Sequence, residues 1–183
     1  IALFQKIDSV LRGNVAAEST AWMSGLGYSR ATIVPANPSR GRVIRDGRYF
    51  VHDKPLDQTA FADDPEHPRR SASIEQLMAN DSEPPVTPAT LVRPDTGVWP
   101  SSGLIVPQVA TPDQIDACLA QLDSRTLAVG AADFFARWLR RFPTPVSSTA
   151  ISVDHSVATR AIDAAPRLLV CGSPTAIAAG RIE

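Results

Sequence analysis

Between Lys6 and Asn14 the chain sets two cations (Lys6, Arg12), one carboxylate (Asp8), one hydroxyl (Ser9) and one amide (Asn14) within nine residues, with Gly13 ahead of Asn14. That set suits a small hydroxylated acid, with cations for its carboxylate and polar groups for its hydroxyls. An apolar run, Ile1-Ala2-Leu3-Phe4, precedes it, and a helix-like segment follows. A strand ending in polar residues and a Gly turn before a helix is the layout of an α/β ligand site, where ligands sit at the carboxyl ends of strands. Helix N-termini there offer free backbone N–H groups to anions. The competing reading is an ion-paired surface turn, and the pattern alone does not separate the two.

The elements that must position these residues alternate along the chain. The spacing predicts main strands at 1–8, 31–35, 104–107, 126–130 and 167–171, and a short strand at Leu91 to Arg93. Residues 15–26 read as a helix, favoured by Ala16, Ala17, Ala21, Trp22 and Met23. Asp46-Gly47 between Val43, Ile44 and Tyr49, Phe50 is a hairpin signal. Ser73 to Gln76 opens a helix with a capping-box pattern. Thr111-Pro112-Asp113-Gln114 is a second helix start, with Thr as cap and Pro at the first helical position. Ile115, Cys118, Leu119 and Leu122 then recur at helical spacing. Residues 131–141 predict another helix, with Phe134, Phe135, Trp138 and Leu139 as its apolar face. Residues 147–165 are polar and small, like a linker or crossover. Strands separated by helices predict a three-layer α/β/α fold with a mostly parallel sheet, the 43–50 hairpin being a small insertion.

Composition narrows the classes. The 183 residues suit one domain, and 44% hydrophobic with 20% charged residues is ordinary for a globular core. A net charge of -1 gives no general drive toward nucleic acid or anionic membrane. No apolar run approaches the roughly 20 residues of a membrane span. Cys118 and Cys171 lack CxxC spacing and read as reduced residues of a cytoplasmic protein. The 16 prolines cluster between Pro84 and Pro112, predicting a loop-rich stretch. His52, His67 and His155 are dispersed, so no metal site is expected, and His67 before Pro68 reads first as a turn residue. The run Glu66 to Arg70 reads as solvated surface. Gly172-Ser173 after a strand resembles a phosphate-contacting turn, a weak signal alone. No Walker A, GxGxxG or GxSxG motif occurs.

Three ordered segments resemble the four-carbon acid sugar kinase family. Lys6-Ile-Asp-Ser-Val-Leu-Arg-Gly-Asn14 is similar to the family's KIDSTLRGN, with Val10 in place of Thr. Residues 35–56, PANPSRGRVIRDGRYFVHDKPL, resemble its PAFPxxGR and GxxFVxxxPL run, and Phe61 to Pro68 its FAxDPxHP run. Leu127 to Gly130 and Leu169 to Ser173 fall where the family has comparable strand-plus-Gly pieces. The family's Asp-rich turn (approximately DDxTGA) is missing, as is a second, nucleotide-binding domain. The expectation is therefore the interior of a longer protein, with residues 1–165 as a sugar-acid-binding domain lacking its first strand and turn. Residues 166–183 would begin the nucleotide domain.

The resemblance implies ATP-dependent, Mg²⁺-assisted phosphorylation of a threonate- or erythronate-like acid in the cytoplasm, with a homodimer left open. It implies Lys6 and Arg12 at the substrate carboxylate, and Ser9, Gly13 and Asn14 around its hydroxyls. Asp8 would be a hydroxyl partner or the catalytic base, a role for which the missing Asp-rich turn is at least as good a candidate. Arg40 and Arg42 either line the site or fix the loop, and Arg42 is counted with the substrate contacts. Gly172 and Ser173 would contact ATP. One rival is a non-catalytic sugar-acid-binding module. The other is an unrelated α/β scaffold that mediates assembly, against which a pocket joining Lys6, Asp8 and Arg12 would count.

Overall fold

Neighbouring side chains of the first strand point to opposite layers, as the two-residue period of a strand requires. In β1 (Phe4–Lys6) the Phe4 ring packs against Phe134, Phe135 and Trp138, with centroids 5.7, 4.9 and 5.1 Å away. Its neighbour Gln5 is buried on the other side, where the Ser19 hydroxyl donates to its Oε1 at 3.0 Å. Ser19 lies on α1 (Val15–Leu26), and the three aromatics lie on α4 (Ala132–Leu139). The two helices therefore cover opposite faces of the sheet.

The computed structural model describes residues 3–79 and 88–142, within a compact unit spanning Ile1–Pro143. The remaining elements are β2 (Arg30–Val34), β3 (Arg42–Arg45), β4 (Arg48–Val51), β5 (Lys54–Pro55), α2 (Ile74–Ala79), β6 (Thr90–Val92), β7 (Gly103–Pro107), α3 (Pro112–Ala120) and β8 (Thr126–Gly130). The main sheet runs β1-β8-β2-β7-β6 with every pairing parallel. The crossover β1-α1-β2 moves one way along the sheet, and β7-α3-β8 moves the other. Right-handed crossovers in opposite directions put α1 and α3 on opposite faces. Accordingly α1 packs with α2, and α3 with α4, giving the expected α/β/α layering.

The core is the middle of the sheet. Ala31, Ile33, Val34, Ile105, Val106, Leu127 and Val129 are all buried, as parallel strands covered on both faces must be. Gly130 ends β8 where space is shortest: a Cβ there would lie 2.6 Å from Phe134 Cδ1 and 2.8 Å from the Val34 oxygen.

The hairpin forms as expected, outside the main sheet. Asp46 and Gly47, at φ 49° and 72°, make the left-handed two-residue turn between β3 and β4. The structure adds β5 through a second such turn at His52 and Asp53, which carries no Gly signal. Thr111 and Gln114 complete a capping box. At α2 the expected box is only half formed: Gln76 N–H reaches Ser73 Oγ at 3.5 Å, while the Ser73 N–H donates to Ser71 Oγ at 3.0 Å and not to Gln76.

Three expectations change. The first strand shortens to Phe4–Lys6, because Ile7 and Asp8 already enter the turn. Leu139 is 46% exposed and not part of the buried stripe, which belongs to Phe134 with Phe135 and Trp138 partly covered. The Glu66 to Arg70 run is not wholly solvated, since Arg69 is only 3% exposed. The strand at 167–171, the linker at 147–165 and the expected boundary at 165 lie outside the described residues.

Candidate functional site

The loop after β1 leads into α1, while β8 hands its chain to α4 on the other face. Ligand sites of such sheets lie at the carboxyl ends of the strands. Here those ends are Lys6–Asp8, Pro35–Asn37 and Gly130–Asp133. On one flank Asn37, buried at 4% exposure, accepts the Asp133 N–H at 2.9 Å. Asp133 in turn accepts from the Ser39 N–H at 2.9 Å and hydroxyl at 2.7 Å. The Asn37 side chain thus caps an N–H in the first turn of α4, and Ser39 holds the Asp133 carboxylate beside it.

On the other flank the 6–14 segment folds around the Asp8 carboxylate. Ile7 N–H extends the ladder to the Gly130 oxygen at 3.0 Å, and then Asp8 Oδ2 accepts the N–H groups of Val10 (3.0 Å) and Arg12 (3.2 Å). An aspartate that bonds the backbone ahead of it fixes a turn. Between them Leu11, nearly fully buried, sits at φ 60°, a conformation costing about 1–3 kcal/mol for such a residue. Its carbonyl accepts from Nη1 of the buried Arg69 at 3.0 Å, and Arg69 Nε donates to the His67 oxygen at 3.0 Å. Val10, where the resembled family has Thr, is fully buried, so methyl groups suit the position.

Arg12 is the hub. Its Nε and Nη2 donate to Asp8 Oδ2 (3.1 Å) and Oδ1 (2.9 Å), and its Nη1 donates to Asp64 Oδ2 at 3.0 Å. Three of its five N–H groups are therefore used, and the side chain stays 38% exposed. Asp64 Oδ1 accepts the N–H groups of Glu66 (3.1 Å) and His67 (2.8 Å), so it holds its own loop as well. Arg12 and Arg42 both lie over the Phe61 ring, with guanidinium carbons 6.0 and 5.2 Å from its centroid. Arg42 donates to the Ser9 hydroxyl. Among the described residues neither Arg42 nor Lys6 makes an ion pair; exposed Lys6 bonds the Ile7 carbonyl at 2.8 Å.

These contacts set the charges. Burial pushes the Asp8 carboxyl up, but hydrogen bonds and charge from Arg12, with the Val10 N–H, outweigh it and hold it below 3.8. Asp8 holds the Arg12 guanidinium above its ordinary range against its own desolvation, with help from Asp64. The His67 N–H, then Arg12, hold Asp64 below its ordinary value despite some desolvation. Tyr49, buried beneath the site with its hydroxyl 3.4 Å from the Pro35 oxygen, is pushed up mainly by burial. The cluster is thus ionised at neutral pH, with a neutral phenol under it.

Of the residues singled out in the sequence, the fold gathers Asp8, Ser9, Arg12 and Arg42 around Phe61. Lys6 flanks them at the end of β1. Gly13 (φ 86°) and Asn14 are exposed at the start of α1, and Asn14 makes no side-chain cap. Arg40 is exposed on the adjoining short helical turn Pro38–Arg40. Gly172 and Ser173 lie outside the described residues. Sequence reasoning missed Phe61, Asp64 and Arg69 as site residues. The signal for Phe61 and Asp64 was the FADDPEHP run, in which an Asp before Pro is a turn former, and Arg69 lies one residue past it. Asn37 and Tyr49 carried none.

The family model described as "Sugar-binding N-terminal domain" matches residues 1–134. A D-threonate kinase of Salmonella typhimurium is 42% identical over 84 residues, 46% of this chain and 20% of that protein. A D-erythronate kinase of Heliobacterium modesticaldum is 32% identical over 141 residues, 70% of this chain and 32% of that one. A solved Bordetella bronchiseptica domain of unknown function, a domain-swapped dimer with bound citrate, superposes with TM-score 0.62 at 26% identity, covering 76% of this chain and 36% of that one. The chain thus spans between 20% and 32% of the length of these two curated relatives. The match over residues 1–134 places this chain, with its parallel α/β sheet, in the sugar-binding N-terminal domain family.

Proposed function

We propose that this chain is the substrate-binding part of an ATP-dependent kinase that phosphorylates a four-carbon sugar acid of the threonate, erythronate or 3-oxo-tetronate kind. The observation that carries the reading is the Asp8–Arg12–Asp64 assembly at the carboxyl ends of the strands, in a chain similar to kinases with those names. The substrate carboxylate lies against Lys6, Arg42 and the two unused N–H groups of Arg12, where a planar fork meets a planar anion. Ser9, the Gly13 backbone and the Asn14 amide meet the hydroxyls. Asp8 stays ionised at neutral pH, and its Oδ1, which receives only one bond, orients the attacking hydroxyl. Fixing that hydroxyl is most of what a phosphoryl acceptor site contributes.

ATP supplies the phosphoryl group, and Mg²⁺ offsets its charge, when both are bound. Among the described residues no three His, Cys, Asp or Glu side chains are placed to hold a metal ion, so no step here runs through Mg²⁺. The expected ATP contacts, Gly172 and Ser173, belong to the same reading, as do cytoplasmic location and a homodimer. No described helix is long and apolar enough to cross a membrane.

The test is a thermal-shift and turnover screen of the full-length protein against four-carbon acids, with and without Mg-ATP. The reading predicts that one of these acids stabilises the protein and is phosphorylated. Stabilisation without phosphorylation would mark a binding module instead, and neither response would overturn the reading.

A further inference from the structure

The cluster around Phe61 is balanced in charge. Two guanidiniums, Arg12 and Arg42, share the ring, and two carboxylates, Asp8 and Asp64, hold Arg12 between them. Lys6, two residues before Asp8, adds one cation, leaving one positive charge over. A site built only to attract anions would leave its arginines unopposed. Instead, both carboxylates sit at the arginine fork while each keeps an oxygen with a single donor. Among the described residues Asp8 Oδ1 receives only Arg12 Nη2, and Asp64 Oδ2 receives only Arg12 Nη1. An ionised carboxylate oxygen is an acceptor alone. It takes a hydroxyl, and it repels a second ligand carboxylate at the same place.

Resting on the proposed function, we infer that Asp64, together with Asp8, is a specificity device that admits hydroxy monoacids and rejects the diacids of the same carbon skeleton. Each good substrate hydroxyl finds an acceptor there, while a terminal carboxylate in its place meets two fixed negative charges. Rejection by placed like charge is how a site separates ligands that differ by one group. The Asp64 loop supports the role. Its Oδ1 is occupied by the Glu66 and His67 N–H groups, so the side chain cannot swing away without breaking its own turn. Arg69, buried beneath, ties that loop to Leu11 next to Arg12.

Asp64→Asn separates charge from turn, because an amide oxygen still accepts the two backbone N–H groups. Asp64→Ser keeps a shorter acceptor and serves if the first variant does not fold. The readout, in the full-length protein, is the inhibition constant of tartrate divided by KM for D-threonate or D-erythronate. Tartrate has the four-carbon dihydroxy skeleton with a second carboxylate at the far end. A general loosening of the site moves both constants together; removing one negative charge favours the dianion. The ratio falls about five- to tenfold in Asp64→Asn, as expected for one charge at close range in a partly screened site. An active parent whose ratio stays within twofold in the variant, or which binds tartrate as tightly as the monoacid, overturns this inference and leaves the proposed function standing. A parent that turns over no four-carbon monoacid overturns both.

Discussion

Arg30 and Arg12 sit at opposite ends of the same parallel sheet and are used in opposite ways. Arg30, at the start of β2, spends its donors on acceptors that tie chain ends together: the Thr126 hydroxyl (2.7 Å), the carbonyls of Pro100 (3.0 Å) and Gln121 (2.7 Å), and exposed Asp123 (3.3 Å). Its side chain is 12% exposed. Arg12, beyond the other end of β1, bonds only carboxylates, is 38% exposed and keeps two N–H groups unused. An arginine that caps carbonyls is a staple. One that is aimed by carboxylates and left open is poised for a ligand. On the proposed function, the amino-terminal edge of the sheet serves stability and the carboxyl edge recognition.

That contrast breaks if the two arginines respond alike. The largest expected effect is on acid use in Arg12→Ala, which loses about 2–4 kcal/mol of transition-state stabilisation, roughly 30- to 1000-fold in kcat/KM. KM for ATP should move little, and steady-state kinetics with each substrate varied checks both. Arg30→Ala should cost about 2 kcal/mol of stability by stranding two carbonyls, while the folded fraction keeps normal KM values. Denaturant melts beside the same kinetics test that pairing. Asp8→Asn sharpens the account at the carboxyl edge. The amide still accepts for the turn, so melting should change little while kcat falls about tenfold through a misdirected hydroxyl. Arg42→Ala, which removes a cation without an ion pair, should raise KM for the acid more than it lowers stability.

The smallest effect is in acid. Asp8, Asp64 and Asp123 all have folded-state values held below the ordinary one. Their stabilisation is complete above the unfolded value near 3.8 and is lost as pH falls through the lower folded values. Urea melts between about pH 7 and 3 should therefore show an acid loss of stability that Asp8→Asn makes shallower, because one linked proton is removed.

Much of the frame was legible from residue order. Helix-favouring residues gave the 15–26 helix, the Asp46-Gly47 pair signalled the hairpin turn, and Thr111-Pro112 marked the start of α3. Each of these depends on neighbours a few residues away. The site depended on partners that local pattern does not choose. Asp64 reaches Arg12 across 52 positions, and Arg69 reaches Leu11 across 58. Lys6 to Asn14 was therefore readable as polar chemistry. That Arg12 arrives already held by two carboxylates was not, and that fact turns an attractive cation into a directed donor. Leu139 shows the same limit from the apolar side: its spacing matches the stripe, but the sheet's edge gives it no surface to cover.

The most direct test of the central claim is calorimetric titration of D-threonate and D-erythronate into the full-length protein with no nucleotide present, using the parent, Arg12→Ala and Arg30→Ala below their melting temperatures. The account predicts that the parent and Arg30→Ala bind one acid with the same affinity, and that Arg12→Ala binds it at least about tenfold more weakly. Arg12→Ala binding as tightly as the parent would contradict it, whatever its stability.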